Sequence, residues 1–162
     1  SDFARMPKPT LRENNLVILL KENVKLLKEL DRSIEIKLFT NLEKIILNSD
    51  KEQISRVFLN LIKNSIESIQ QKAENGSNFN KKITIELTES DDHIKLVIVD
   101  NGIGFEKLTD NIKDILNPYF TTKKNGTGLG LSIVNKIIND HNGKIEFIPR
   151  NDGAEIKINF VR

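Results

Sequence analysis

The sequence centres on Asp100-Asn101-Gly102-Ile103-Gly104-Phe105 and, further along, on Gly126-Thr127-Gly128-Leu129-Gly130-Leu131. Five of the chain's eight glycines fall within residues 102–130. Glycine costs a helix about 1 kcal/mol relative to alanine and gives a core no side chain, so the cluster indicates backbone that turns sharply or closely approaches a ligand. The first hexapeptide ends an apolar run, 94–99, that predicts a buried strand, and the second opens an apolar helix. Together they predict a nucleotide site, because a carboxylate can accept a hydrogen bond from an amino group and a helix start can bind phosphate.

Length and composition exclude several classes of protein. A chain of 162 residues fits one domain with a hydrophobic core. Its net charge of +2 comes from interspersed charges and does not indicate a nucleic-acid partner or a membrane-binding patch. The absence of cysteine excludes thiol catalysis, disulfides and cysteine-bound metals. No apolar run reaches the ~20 residues that span a bilayer, and we expect the chain to be one domain of a longer protein.

Apolar periodicity predicts three main helices. The first follows Asn14 as its N-cap and carries an apolar stripe over residues 16–30. The second begins at Asp50, with Gln53 in the position of a capping box, and ends near Lys72. The third runs from the second hexapeptide to a left-handed cap at 141–143. Residues 108–116 fit a further short helix.

Six strands are predicted, at 34–39, 44–47, 83–87, 93–99, 144–148 and 154–160. The first two flank a turn at residues 40–41, and the others form hairpins around 90–92 and 151–153. Hairpins favour a mixed, mainly antiparallel sheet, so the simplest packing is an α+β fold of two layers with the helices on one face. Residues 1–13 include Pro7 and Pro9 and predict an extended linker.

Several polar residues allow either a plain or a functional interpretation. Asn60 and Asn64 are neighbours on the second helix, where they can be solvated surface or supply an oxygen ligand to Mg²⁺. Asp100 can start a β-turn or select adenine by accepting a hydrogen bond from its exocyclic amine. Lys123 and Lys124 can be solvated or reach a phosphate. His93 and His141 are isolated, which predicts structural or surface roles for both.

The second glycine cluster does not match the commoner phosphate motifs. Its spacing, G-x-G-x-G at Gly126, Gly128 and Gly130, differs from the dinucleotide-binding G-x-G-x-x-G, and a loop rather than an apolar strand precedes it. No G-x-x-x-x-G-K-[ST] is present. We therefore exclude both the Rossmann and the P-loop interpretation.

Four segments, in this order, resemble the catalytic ATP-binding domain of sensor histidine kinases. They are 60–65 as the N box, 100–105 as the first glycine box, 118–123 as the F box and 126–134 as the second glycine box. The resemblance covers residues 12–162. Residues 3–9 and 121–123 are similar to the nitrogen-regulation kinases of the NtrY and NtrB type, in which the leading segment leaves the dimerisation domain.

The resemblance implies a Bergerat-type α/β sandwich over residues 14–162, with ATP held between the helices and a lid at 106–125. Asn64 would bind Mg²⁺, and Asn60, Asn64 and Lys123 would be the catalytic residues. Phe120 would anchor the lid. The implied nucleotide contacts are Asn64, Asp100, Gly102, Ile103, Gly104, Phe120, Thr121, Lys123, Gly126, Thr127, Gly128, Leu129 and Gly130.

The resemblance also implies a reaction, the transfer of the γ-phosphoryl group of ATP to a histidine on a dimerisation domain preceding residue 1. The implied partners are that domain and a response regulator, with a monomeric fragment, a homodimeric parent in the bacterial inner membrane and this domain in the cytoplasm. Glu67 replaces a lysine found in many histidine kinases, and Asn60 replaces the glutamate base of the chaperone and topoisomerase branches. Two alternatives remain open, a non-catalytic nucleotide-gated interaction module and an anti-sigma-type serine kinase.

Overall fold

A computed structural model describes residues 6–105 and 130–162. The central feature of this part of the chain is a five-stranded sheet in the order β2-β4-β5-β7-β6, and a two-stranded sheet of β1 and β3 lies apart from it. In chain order the elements are β1 Arg12–Asn15, α1 Leu16–Leu27, a 3₁₀ turn Lys28–Leu30, β2 Glu35–Thr40, β3 Ile46–Ser49, α2 Lys51–Glu74, β4 Lys82–Ser90, β5 His93–Asp100, α3 Gly130–Asp140, β6 Gly143–Arg150 and β7 Gly153–Val161.

The large sheet has one face towards the core. Along β4, for example, Ile83, Ile85 and Leu87 are fully buried while the residues between them are not, as the two-residue period of a strand requires. The pairs β4–β5, β5–β7 and β6–β7 are antiparallel, whereas β2 runs parallel to β4. The predicted α+β class, with a mixed and mainly antiparallel sheet covered by helices, is therefore confirmed.

The segment before α1 differs from its prediction. Arg12 and Glu13, which the sequence places in a linker, pair with Ser49 and Asn48 as part of β1. The four polar residues of β1 carry no apolar alternation, so backbone pairing alone defines this strand. The N-cap of α1 is Asn15 and not Asn14, since the Asn15 carboxamide oxygen accepts a hydrogen bond from Val17 N at 3.1 Å.

The two strands predicted around residues 40–41 exist but do not belong together. β2 lies at the edge of the large sheet, and β3 pairs with β1 in the small one. Their hydrogen-bonding partners are distant in sequence, as in the pair Ile36 and Ile83. Local apolar patterns can locate such strands but cannot assign their neighbours.

The start of α2 confirms one half of the predicted capping box. Asp50 caps the helix by accepting from Gln53 N at 3.1 Å, but the Gln53 side chain donates to Pro7 O instead of returning to the cap. The N–H of Asp50 donates to His141 Nε2 at 3.0 Å, while His141 Nδ1 lies 2.7 Å from Ile137 O. Because a carbonyl only accepts and an amide N–H only donates, Nδ1 carries the proton of a neutral ring. The structural role predicted for His141 is thus observed.

The other ends of the helices agree with the sequence to within a few residues. α2 ends at Glu74, two residues beyond the predicted end. After α3, Asn142 adopts the left-handed conformation with φ 59°, and Gly143 already begins β6. None of the helices in the described residues is long and apolar enough to cross a bilayer. The short helix predicted at 108–116 lies outside the described residues.

Candidate nucleotide-binding site

Asp100, the last residue of β5, is a carboxylate with only 6% of its surface exposed. Burial raises its pKa, and a hydrogen bond from Gly102 N at 2.9 Å, another from the Ser65 side chain and the charge of Lys72 offset part of that effect. The pKa of Asp100 is raised overall. A carboxylate held this way can still accept a hydrogen bond. Because the site is poorly solvated, a hydrogen bond from a ligand to this carboxylate is stronger than it would be in water.

The turn that follows Asp100 is fastened to α2 and to the start of β4. Ser68 Oγ accepts a hydrogen bond from Ile103 N at 3.0 Å, and Lys72 Nζ donates to Asn101 O at 3.0 Å. The Asn101 side chain accepts from Lys82 N at 3.0 Å, and its amide group also donates to the chain just before β4. The backbone beside Asp100 is therefore fixed from two sides.

The glycines here serve the packing of protein against protein. A Cβ at Gly102 would overlap the Ser68 side chain and lie 2.7 Å from its backbone carbon. Gly104 has φ +81°, and a Cβ there would be 2.8 Å from Gly153 O. Gly153 has φ +151°, and a Cβ there would overlap the backbone of Asp100. The resemblance predicts that Gly102 and Gly104 line the base, but these contacts require glycine whether or not a ligand approaches.

Asn60 and Asn64 lie one turn apart on α2, the helix that also contacts the turn beyond Asp100. Asn60 donates through Nδ2 to Arg56 O at 3.0 Å, and its Oδ1 is 3.5 Å from where a Cβ of Gly130 would be. Asn64 follows one turn later and precedes Ser65, which hydrogen-bonds Asp100. α2 thus has Asn60 beside Gly130 and, further along, Ser65 against Asp100, with Asn64 between these two positions in sequence.

The remaining predicted residues cannot be placed. The lid, 106–125, and the candidate contacts Phe120, Thr121, Lys123, Gly126, Thr127, Gly128 and Leu129 lie outside the described residues. Ile103 is described, with 8% of its surface exposed and its N–H bonded to Ser68. The predicted phosphate-binding turn is therefore represented here only by Gly130.

Sequence reasoning missed four residues that shape this site: Ser65, Ser68, Lys72 and Gly153. The sequence predicts Lys72 only as the end of the second helix and residue 153 only as part of a hairpin turn, and it gives Ser65 and Ser68 no role at the site. The spacing of residues 65, 68 and 72 was the available signal, since positions three and four apart lie on one helix face. Only the fold, however, shows that this face meets the turn after β5.

Comparison with known proteins gives concordant results. Residues 49–161 match the family model described as histidine kinase-, DNA gyrase B- and HSP90-like ATPase. The chain is 36% identical over 159 residues to a putative NtrY-like sensor histidine kinase of Rickettsia conorii, covering 98% of this chain and 25% of that protein. It is 30% identical over 170 residues to the nitrogen regulation protein NtrY of Azorhizobium caulinodans, covering 20% of it. The chain therefore spans a quarter or less of the length of these relatives.

Solved structures show the same similarity. The nucleotide-free catalytic domain of histidine kinase ThkA superimposes with a TM-score of 0.79 at 31% identity, covering 94% of this chain and 95% of that one. ThkA in complex with the response regulator TrrA gives a TM-score of 0.73 at 28% identity, over 93% of this chain and 41% of that one.

Proposed function

This chain belongs to the histidine kinase-, DNA gyrase B- and HSP90-like ATPases, as a histidine kinase catalytic domain, and we propose that it binds Mg·ATP between α2, the end of β5 and the start of α3. The γ-phosphoryl group then passes to a histidine of the parent protein. One observation carries the proposal, namely that a single helix, α2, places Asn60 beside Gly130 and Ser65 against buried Asp100, with Asn64 between them in sequence.

Asp100 is the residue that selects adenine in this proposal. Its carboxylate accepts a hydrogen bond from the exocyclic amine, as a buried acceptor with a raised pKa is suited to do. Guanine and hypoxanthine carry a carbonyl oxygen at that position, which would face the carboxylate with an acceptor instead of a donor. Gly102, Ile103 and Gly104 would line the adenine base beside Asp100.

Asn64 is the proposed ligand for Mg²⁺, with Asn60 one turn away. Carboxamide oxygens suit a hard cation that also binds phosphate oxygens and retains water. The ion supplies neutralisation of charge on the phosphates during transfer. Lys123, Thr121, the turn at 126–130 and a lid anchored by Phe120 complete the proposed phosphate site.

The residues present favour transfer to histidine over hydrolysis. Phosphoryl transfer depends mainly on positioning and charge neutralisation. An imidazole with a pKa of about 6.5 is substantially neutral and nucleophilic at pH 7. Asn60 stands where a water-activating glutamate is found in related ATPases, and an amide cannot take a proton from water. The proposed partners are a dimerisation domain bearing the acceptor histidine and a response regulator. The proposed parent is a dimeric nitrogen-regulation sensor kinase in a bacterial inner membrane.

Calorimetric titration of the chain with Mg·ATP tests this assignment. We expect Asp100→Asn to weaken binding of ATP by about tenfold or more, because a hydrogen bond to a charged group is worth about 1.5–3 kcal/mol. Asn64→Ala should reduce the gain in affinity that Mg²⁺ gives, while leaving binding of ATP in EDTA unchanged. If both folded variants bind like the wild type, the site is wrongly assigned.

A further inference from the structure

α2 contacts the turn beyond Asp100 through residues that follow one another along a single helix face. Ser65, Ser68 and Lys72 are spaced by three and four residues, so they lie on that face together. Building on the nucleotide site proposed above, we propose that Ser68 and Lys72 are positioning residues for base selection. They hold the backbone of residues 101–103 so that the Asp100 carboxylate meets the amino group of adenine.

Ser68 fixes the turn through a hydrogen bond and through close packing. Its Oγ accepts from Ile103 N at 3.0 Å, and Gly102 approaches it so closely that no Cβ fits between them. The N–H of Gly102 in turn donates to Asp100 Oδ1 at 2.9 Å. The Gly102 peptide is therefore enclosed between Ser68 and Asp100, and a shift of the turn changes the direction of the carboxylate.

Lys72 fixes the same turn one position earlier. Its ammonium group donates to Asn101 O at 3.0 Å and lies 4.4 Å from the centre of the Phe79 ring. An ammonium group over an aromatic face is attracted by the ring, so Phe79 limits the positions that the lysine can take. The lysine can therefore hold the carbonyl of the residue that follows Asp100.

Lys72 has an electrostatic effect that a purely structural contact would lack. Among the described residues it supplies the charge that lowers the pKa of Asp100, against the burial that raises it. The strands on either side of Asp100 place apolar residues opposite it, Ile83 in β4 and Ala154 in β7. From α2, Ser65 adds a hydrogen bond but no charge. Loss of Lys72 would thus leave burial opposed only by uncharged donors.

The test compares the dissociation constants of the intact chain for Mg·ATP and for Mg·ITP, which lacks the amino group. We expect the wild type to prefer ATP, and Ser68→Ala and Lys72→Met each to weaken ATP binding by about tenfold while changing ITP binding little. Lys72→Arg, which keeps the charge, should restore the preference. Ser55→Ala on α2 and Lys21→Met on α1 are matched controls.

The pH dependence adds a second readout. Lys72→Met should move the acid limb of ATP binding to higher pH, because the pKa of Asp100 then rises further, whereas Ser68→Ala should leave that limb in place. If Lys72→Met does not fold, Lys72→Gln, which keeps a donor without a charge, replaces it.

The outcomes separate this inference from the proposed function. If Asp100→Asn retains the preference for ATP over ITP, the assignment of the base site itself fails. If Asp100→Asn loses that preference while Ser68→Ala and Lys72→Met retain it, the base site stands and the positioning role is overturned. An equal loss of affinity for both nucleotides in the two variants would also overturn it, since it would indicate a structural defect only.

Discussion

At the level of single residues, Asp100 is expected to lower the stability of the nucleotide-free chain. Burial raises its pKa above the unfolded value of 3.8 despite its hydrogen bonds, so the unfolded chain releases this proton first as the pH rises. The resulting loss of stability is absent in acid, grows above pH 3.8 and is constant once the folded pKa is passed. A tenfold difference in the acid dissociation constant between the folded and unfolded chain corresponds to about 1.4 kcal/mol in the free energy of unfolding.

Asp100→Asn, which keeps an acceptor for Gly102 N, is therefore expected to melt about 3 °C higher than the wild type at pH 7 without nucleotide. The difference should shrink as the pH falls towards 3.8 and disappear below that value, where the wild-type carboxyl is protonated in both the folded and the unfolded state. Thermal unfolding by circular dichroism across this range measures it. A variant that melts lower than the wild type at pH 7 would show that the carboxylate is stabilising where it lies.

Gly153 gives a second prediction for a single residue. Gly153→Ala would force its Cβ into the backbone of Asp100, so we expect a loss of about 3 kcal/mol or more in the free energy of unfolding. Gly76→Ala is the control, because Gly76 also has a positive φ, +90°, but nothing lies within 4 Å of its Cβ position. Gly76→Ala should lower the free energy of unfolding by only about 1 kcal/mol. Equal costs in urea denaturation would mean that backbone strain alone explains both.

These residues also show how far the sequence predicts the site. The order of the motifs was enough to select Asn64, Asp100 and the glycines. It could not reveal why glycine is needed at residues 102 and 104, since the crowding atoms belong to Ser68 and Gly153, about 34 and 49 residues away respectively. Contacts between distant segments leave no local pattern.

At the level of the elements, the next prediction concerns the start of α2. This helix end lies next to the end of α3 and to residues 7–10. Burial raises the pKa of Asp50, but hydrogen bonds from the backbone N–H groups of Thr10, Gln53 and Glu52 outweigh that effect, and the pKa is lowered overall. The carboxylate therefore stabilises the fold above pH 3.8, and this contribution is lost as the pH falls through the lower folded pKa.

Asp50→Ala removes the acceptor for Gln53 N and Thr10 N, and we expect it to cost about 1–2 kcal/mol at pH 7. Asp50→Asn, which retains a cap oxygen, should lose less than half as much. Chemical denaturation at pH 7 and at pH 3 measures both, and the cost of the alanine should be smaller at pH 3. A cost that does not change with pH would exclude the charge as its source.

The elements were predicted better than their partners. Alternating apolar residues located β4 to β7, and cap residues located α2, because both signals are local. The sequence does not predict β1 because Arg-Glu-Asn-Asn has no apolar alternation. β2 and β3 each pair with a strand more than thirty residues away, β4 and β1 respectively, and not with each other. The Asp50–His141 contact likewise joins two helix ends that no local rule connects.

At the level of the whole molecule, α2 is the element on which the site depends. Its 24 residues extend from the junction with His141 to the turn beyond Asp100. Asn60, Asn64, Ser65, Ser68 and Lys72 all project from it, so the proposed metal ligand and the proposed base selector are fixed relative to each other by one rigid helix. This agrees with transfer chemistry that relies on positioning.

The same geometry excludes both histidines of the chain as acceptors. His93 begins β5 and Asp100 ends it, which separates them by about 23 Å at about 3.3 Å per residue. His141 is 5% exposed, and both ring nitrogens are engaged. We therefore expect no phosphohistidine when the chain alone is incubated with γ-labelled Mg·ATP.

Adding the proposed dimerisation domain, produced separately, should label that domain, and Asp100→Asn should reduce the labelling along with its loss of ATP binding. Base-stable, acid-labile radioactivity on each polypeptide is the measurement. Labelling of the chain alone that disappears in His93→Gln, a variant remote from the nucleotide site, would contradict the prediction. It would require phosphoryl transfer between two copies of the domain.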